Sequence, residues 1–297
     1  MPEEMDGEHE DTGTVAFLPV DLHGVEVLEA ARSSRRWVVL HSTYTVCTVL
    51  HIDDPVPWRY RRRVDLLGSD GVSFMEPGEV HTNLEISAPA TFRVLFIDPD
   101  VVSGAAAELG LHGPVHFSVS QVSATSHPRL RRSLLALHRA LERPATLLES
   151  ESRFAGCLRL LLEESVERPA TPPTELPLRP QARAVALARD YLDAHVATPV
   201  TLRELTEVSG AASRFQLMRS FAAAVGLPPH AYQLQRRIAR SRSLLASGFL
   251  PARVAAELGF ADQSHFTRHF NRVLGVGPGS YARAVRERKN VQDIDAI

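Results

Sequence analysis

Arg219 and Arg268 are the residues whose type and placement point most directly to chemistry. A guanidinium can fork onto O6 and N7 of a guanine in the major groove of DNA, and these two arginines hold matching positions in a stretch that repeats itself at an offset of 49 residues. Leu205, Gly210, Ser213, Phe221, Gly226, Pro229 and Tyr232 are answered by Val254, Gly259, Asp262, Phe270, Gly275, Pro278 and Tyr281, with no insertion or deletion between them. Each copy reads as a short helix, a turn at glycine, a second helix and a Gly-x-x-Pro-x-x-Tyr exit. That is the pattern of a helix-turn-helix that lays its second helix in a major groove.

The helices must position those arginines. In the first copy Thr201 opens the leading helix, and Ser213 with Gln216 three residues on is expected to form a capping box at the start of the second. At about 100° per residue, Leu217, Phe221, Ala224 and Val225 share the inner face, while Phe215, Gln216, Arg219 and Ala223 lie opposite. An outward phenylalanine suits thymine methyl groups. In the second copy Asp262 is the N-cap, Phe266, Phe270, Val273 and Leu274 face inward, and Ser264, His265, Arg268 and Arg272 face outward, with Gln263 and Thr267 at the margins. Sequence reading should diverge between the copies at Phe215/Ser264, Gln216/His265 and Met218/Thr267. The helix expected from Pro229 to about Ala246 would span roughly 27 Å, enough to hold two reading helices near the roughly 34 Å between successive major-groove faces. Its arginines, Arg236, Arg237, Arg240 and Arg242, are expected to meet phosphates or acidic partners rather than bases.

Charge supports a polyanion partner. The chain of 297 residues has room for about two domains, and its net charge of −2 conceals an asymmetry: residues 176–297 carry +8 and residues 1–175 carry −10. Such a split fits a DNA-binding module tethered to an acidic body. Only one basic residue, Lys289, is a lysine, so the number of arginines by itself carries little weight. Cys47 and Cys157 are too few for a disulfide framework and lack metal-ligand spacing. The absence of a signal-like or membrane-length apolar run makes a cytoplasmic protein the expectation.

Residues 1–12 form an acidic, polar tail. Short strand-like runs follow at 37–40, 44–50, 60–67, 72–75 and 91–97, punctuated by Asp53-Asp54-Pro55, Gly68-Ser69-Asp70-Gly71, Pro77-Gly78 and Asp98-Pro99. This spacing predicts a small β-barrel over residues 13–120. Helical stripes at Leu130, Leu134, Leu137 and Leu141, then at Phe154, Leu158, Leu161 and Leu162, mark a segment (121–167) that either caps the barrel or faces a second copy of the chain, with a homodimer slightly favoured. A proline-rich linker at 168–180 leads to the repeat domain at 181–286, with helix-turn-helix units at about 201–225 and 251–274, and a tail at 287–297. The fold class is therefore α+β and multidomain: a barrel with two following helices, then an all-α tandem helix-turn-helix domain.

Residues from about 179 to 286 resemble the DNA-binding domain of the AraC/XylS family of bacterial transcription regulators. The match is densest in Val254-Ala255-x-x-Leu258-Gly259-Phe260-x-Asp262-Gln263-Ser264-x-Phe266-x-Arg268-x-Phe270 and in Gly275-Val276-x-Pro278-x-x-Tyr281. Thr206 and Asn271 depart from the family pattern, which usually has alanine and lysine there. Gly71-x5-Pro77-Gly78-x2-His81-x-Asn83 resembles the second cupin motif of the family's sensor barrels. The resemblance implies a cupin-like sensor barrel that binds a small effector, promoter DNA as partner, and RNA polymerase as a partner of an activator. Metal-binding cupins add a His-x-His and a carboxylate, which are missing here, so neither a metal nor another cofactor is expected. His81 is then either an effector contact or a hydrogen-bonded histidine at a strand end. Placing Tyr60, Arg62, Val64 and Leu66 on one inward face would make Arg62 a buried cation, to be met by a carboxylate effector or by Glu76, Glu79 or Glu85. The leading expectation is a sequence-specific transcriptional regulator and not an enzyme. A cupin-type metalloenzyme with a DNA-binding appendage and a sequence-indifferent nucleoid binder are the alternatives.

Overall fold

Period-two alternation builds the N-terminal half. In a strand successive side chains point to opposite faces, and along 44–49 Tyr44 and Val46 pack toward one layer while Cys47 and Val49 pack toward another. A computed structural model describes residues 13–61, 63–84, 88–111, 113–118, 121–123, 125–142, 147–166 and 180–294. The expected acidic tail, the proline-rich linker up to residue 179 and Arg62 lie outside the described residues.

The strands are β1 (Thr14–Leu18), β2 (Val25–Ser33), β3 (Val38–Leu40), β4 (Tyr44–His51), β5 (Val56–Tyr60), β6 (Arg63–Leu67), β7 (Val72–Met75), β8 (Val80–Asn83), β9 (Ala90–Ile97) and β10 (Gln121–Val122). They form a six-stranded sheet in the order β1-β2-β9-β4-β7-β10 and a four-stranded sheet in the order β3-β8-β5-β6. Both sheets contribute walls to one cavity, giving a flattened barrel. Against the outer face of the larger sheet lie α1 (Pro99–Glu108), α2 (Pro128–Leu141) and α3 (Leu147–Ser165).

Three sequence expectations need correction here. The 60–67 run is not one strand: Arg61 adopts a left-handed backbone at φ 55° and turns β5 into β6. Tyr60 is buried while Val64 and Leu66 are 52% and 64% exposed, so they do not share an inward face. Asp98-Pro99 does not simply break the chain; Asp98 is the N-cap of α1, and Pro99 occupies the first helical turn, where a missing N–H costs nothing. The α2 and α3 stripes are not offered to a second chain either. Leu130, Leu134, Leu137, Phe154, Leu158, Leu161 and Leu162 are buried against Val46, Leu95 and Ile97 of the sheet, so these helices cap the barrel.

The C-terminal half is helical: α4 (Pro180–Ala194), α5 (Leu202–Ser209), α6 (Arg214–Val225), α7 (Pro229–Ala246), α8 (Pro251–Glu257), α9 (Gln263–Leu274) and α10 (Pro278–Ile294). The last helix continues past residue 286, where a tail was expected. The capping box falls at Thr201 and Glu204 rather than at Ser213 and Gln216. Ser213 caps in one direction only, its hydroxyl accepting from the Gln216 amide at 3.2 Å.

The two repeats are completed differently. Around the first, α4 supplies Val185, Ala188 and Leu192 to a core with Leu205, Leu217, Phe221 and Tyr232, to which the barrel adds only Leu40 and the partly buried Val80. Around the second, the barrel itself plays that part: Phe17, Leu28, Val39, Val94 and Phe96 share one core with Val254, Phe266, Phe270, Leu274 and Tyr281. The polar contacts follow the same division. Tyr232 donates to Asp193 of α4 at 2.9 Å, and Arg236 pairs with that carboxylate at 2.8 Å. The equivalent Tyr281 donates to Glu26 of β2 at 2.6 Å, and Arg242 pairs with Glu26 at 2.5 Å.

Candidate nucleic-acid interface

The second helix of each repeat, α6 and α9, starts at an oxygen cap and ends at a left-handed glycine. Asp262 Oδ1 accepts from the His265 amide at 2.6 Å, and Gly226 and Gly275 close α6 and α9. Leu217 and Phe221 of α6, and Phe266, Phe270, Val273 and Leu274 of α9, are buried, which fixes the rotation of both helices. Most outward residues are those the periodicity selects, but Ala224, expected on the inner face of α6, is exposed and Val225 is only half-buried, because the helix is ending at Gly226. Arg219 and Arg268 are exposed at equivalent points of the two helices, with no ion pair among the described residues. Phe215 is 82% exposed, so its ring contributes no burial energy to the fold and is open to contact. Gln216 and Met218 are half-buried beside it. On α9, Gln263, Ser264 and Arg272 are exposed, whereas His265 and Thr267 are half-buried.

A broad open concavity, lined by Gln263, Ser264, Thr267, Arg268, Asn271 and Arg272 of α9, also includes Arg35 from the barrel. Arg35 Nη2 donates to the carbonyl of Asn271 at 2.5 Å, which also accepts from the Gly275 amide, and to that of Arg272 at 2.8 Å, in the last turn of α9, where helices leave acceptors open. Asn83, singled out by the cupin-like motif, holds this loop: its side chain accepts from the Trp37 amide at 2.5 Å and donates to the Arg35 carbonyl at 2.9 Å.

The arginines of α7 separate by burial. Arg242 is buried, and although burial alone disfavours its charge, Glu26 and Tyr281 outweigh that and raise its pKa. Arg237 donates to the carbonyls of Val196 and Gly259, each at 2.8 Å. With Arg236 on Asp193, three of the four arginines hold the fold together, and Arg240 is the exposed one.

Arg62, the cation expected to be buried, lies outside the described residues, and its neighbour Arg61 is exposed at the turn between β5 and β6. Arg61 pairs with Glu76 at 2.8 Å and reaches Glu79 at 3.7 Å. Glu76 also accepts from the Phe117 amide at 3.0 Å and lies 2.8 Å from His116 Nδ1. His81 lines a cavity of about 110 Å³ together with His41, their ring centroids 5.1 Å apart. Burial pushes the His81 pKa down to about 4, and burial with the neighbouring His81 and Arg242 holds His41 well below the usual histidine range. The pair was missed in sequence because His41 and His81 are distant in the chain. The register of β3 on β8, which sets Val39 opposite His81, brings them together. His51 instead sits at the surface beside Asp53. Among the described residues no group of three or more His, Cys, Asp or Glu side chains could hold a metal ion. Cys47, also on the cavity wall, has its thiol pushed up to about 12 by burial.

A β-barrel with capping helices, joined to two helix-turn-helix units that expose arginines at equivalent positions, defines a ligand-binding domain coupled to a DNA-binding domain. Comparison with known proteins bears this out: residues 210–284 match the helix-turn-helix domain model and residues 56–158 match the AraC-like ligand binding domain model. The chain belongs to the AraC/XylS family of regulators. It is 30% identical over 191 residues to the uncharacterized HTH-type transcriptional regulator YbfI of Bacillus subtilis, covering 64% of this chain and 66% of that one. It is also 35% identical over 115 residues to the HTH-type transcriptional regulator RipA of Corynebacterium glutamicum, covering 39% of this chain and 33% of RipA. The matched stretches thus span less than two thirds of these relatives. An apo form of a lysine-to-alanine variant of ToxT from Vibrio cholerae superposes with a TM-score of 0.50 at 12% identity, covering 92% of this chain and 97% of ToxT, a likeness of fold alone.

Proposed function

We propose that this protein is a sequence-specific transcriptional regulator that reads promoter DNA with α6 and α9 and holds a small effector in its barrel. The observation that carries the reading is the pair Arg219 and Arg268: both exposed, at equivalent positions on two capped helices whose inner faces are buried. A guanidinium so placed gives base-specific contacts, while Phe215, Gln216 and Met218 on one helix and Gln263, Ser264, His265, Thr267 and Arg272 on the other differ enough to read different half-sites. The net +8 of residues 176–297 supplies the sequence-independent attraction to phosphates. His81 belongs to the effector cavity in this reading.

The proposal extends to assembly. A homodimer must use a surface other than the α2–α3 stripe, and contact with RNA polymerase belongs to the reading of an activator. Among the described residues no helix is long and apolar enough to cross a membrane. Selection of bound sequences from a random DNA pool tests the function: a two-part motif is expected, and recovery of the pool unchanged would point instead to a sequence-indifferent binder.

A further inference from the structure

The chain contains two tryptophans, Trp37 and Trp58, and both line the same cavity. Around them the wall is mostly aliphatic and aromatic, with Val49, Ile52, Met75 and Phe92 among its residues; Thr45, Ser73 and Asn83 are neutral polar members, and no Asp, Glu, Lys or Arg among the described residues reaches it. His41 and His81 are its titratable imidazoles, and burial keeps both uncharged at neutral pH. An anion placed here would find no countercharge and would pay its desolvation in full. The Trp37 indole N–H is buried and has no acceptor among the described residues. A buried donor without a partner costs about 1–3 kcal/mol, and a ligand oxygen would remove that cost. At about 110 Å³ the space is of the order of the roughly 150 Å³ apolar cavity that accepts benzene. One stretch of wall does not come from the barrel: Val273 and Leu274, the last two residues of the reading helix α9, close it.

We propose that this cavity binds a small uncharged molecule, an apolar body of about one ring carrying an oxygen that accepts from Trp37, and that α9 responds to it directly through Val273 and Leu274. The assignment names the ligand class for the effector reading above and rests on it. A ligand of this kind touches the DNA-reading element itself, so its presence alters the end of α9 without any signal passing through the linker. Arg35, which binds the carbonyls of Asn271 and Arg272 one turn away, stands in the same loop as Trp37 and would move with it.

The full chain can be titrated with acetophenone, which has one ring and one carbonyl and no charge, and with benzoate, which has the same ring and an anionic head. Because both tryptophans line the cavity, their fluorescence reports occupancy. Saturable quenching by acetophenone is expected, with benzoate at least about tenfold weaker at pH 7.5. Trp37→Phe, which keeps a ring and removes the donor, should weaken acetophenone several-fold, read by thermal shift. Amide hydrogen exchange should change at the end of α9 on binding and stay constant in α6. Benzoate binding as tightly as acetophenone, no saturable response to either, or unchanged exchange in α9 would each overturn the proposal. The regulatory reading fails separately: a chain that binds acetophenone as described but selects no DNA sequence refutes that reading and leaves the cavity's ligand class standing.

Discussion

Arginines of identical chemistry take opposite roles in this chain, and burial separates them. Arg268 projects from α9 with no ion pair among the described residues, whereas Arg242 is buried on Glu26. Arg268→Ala should therefore cost about 1–3 kcal/mol of affinity at a selected site and little on random DNA, measured by fluorescence anisotropy at one fixed salt concentration. Equal losses on both would reduce Arg268 to a phosphate contact. Phe215→Ala should leave stability within about 0.5 kcal/mol, because so exposed a side chain loses little packing, while lowering affinity for the selected site. The buried histidines give the fold a pH dependence. His41, His81 and His138 have folded pKa values below the unfolded value, with His81 at about 4 and His138 at about 3. The unfolded chain therefore binds more protons as pH falls. Stability should be complete above about pH 6.5 and decline steadily toward pH 3. Thermal melting across that range checks it, and a melting point constant from pH 7 to pH 4 would contradict burial of these rings.

Helix ends are the most constrained parts of the individual elements. Gly275 closes α9 at φ 76°, and a Cβ there would stand 2.8 Å from Trp37 and 3.0 Å from Val15 of the barrel. Gly210 has a similar φ of 69° with nothing within 4 Å. Gly210→Ala should thus cost only the left-handed penalty of about 1–2 kcal/mol, and Gly275→Ala that penalty plus the displacement of the barrel, a difference that urea denaturation resolves. Both glycines were legible in sequence because the repeat aligned them with Gly259 and Gly226. The reading helices were legible for the same reason: capping residues and apolar period both survive in each copy. The barrel was less so. Its central strands announced themselves by β-branched and aromatic runs, but β8 carries only Val80 as a strand-forming apolar residue, and β10 is two residues long, so neighbours rather than propensity hold them. The 60–67 run misled because the chain turns after Tyr60 within a run of arginines that holds none of the glycine, asparagine or aspartate that usually marks a hairpin. Arg61, which pairs with Glu76, was therefore overlooked.

At the scale of the whole molecule the barrel and the repeats are joined by a buried charge rather than by the linker alone. Glu26→Ala would leave Arg242 buried without its carboxylate and Tyr281 without its acceptor, and a loss of about 3 kcal/mol or more is expected. The measurement is chemical denaturation, with limited proteolysis between residues 180 and 294 as a second readout. No change in either would mean that the contact does not bind the two halves together. The equivalence of Asp193 and Glu26 also governs how freely this regulator can be taken apart and recombined. A DNA-binding half cut at Pro180 and grafted onto a foreign sensor carries its first helix-turn-helix unit nearly finished, because α4 travels with it and only the Leu40 and Val80 contacts are lost. Its second reader arrives with a bare guanidinium and an uncovered aromatic face, and the new sensor must by chance present a carboxylate in the right place. Modularity here is lopsided: one helix-turn-helix unit is largely portable and the other belongs to this barrel.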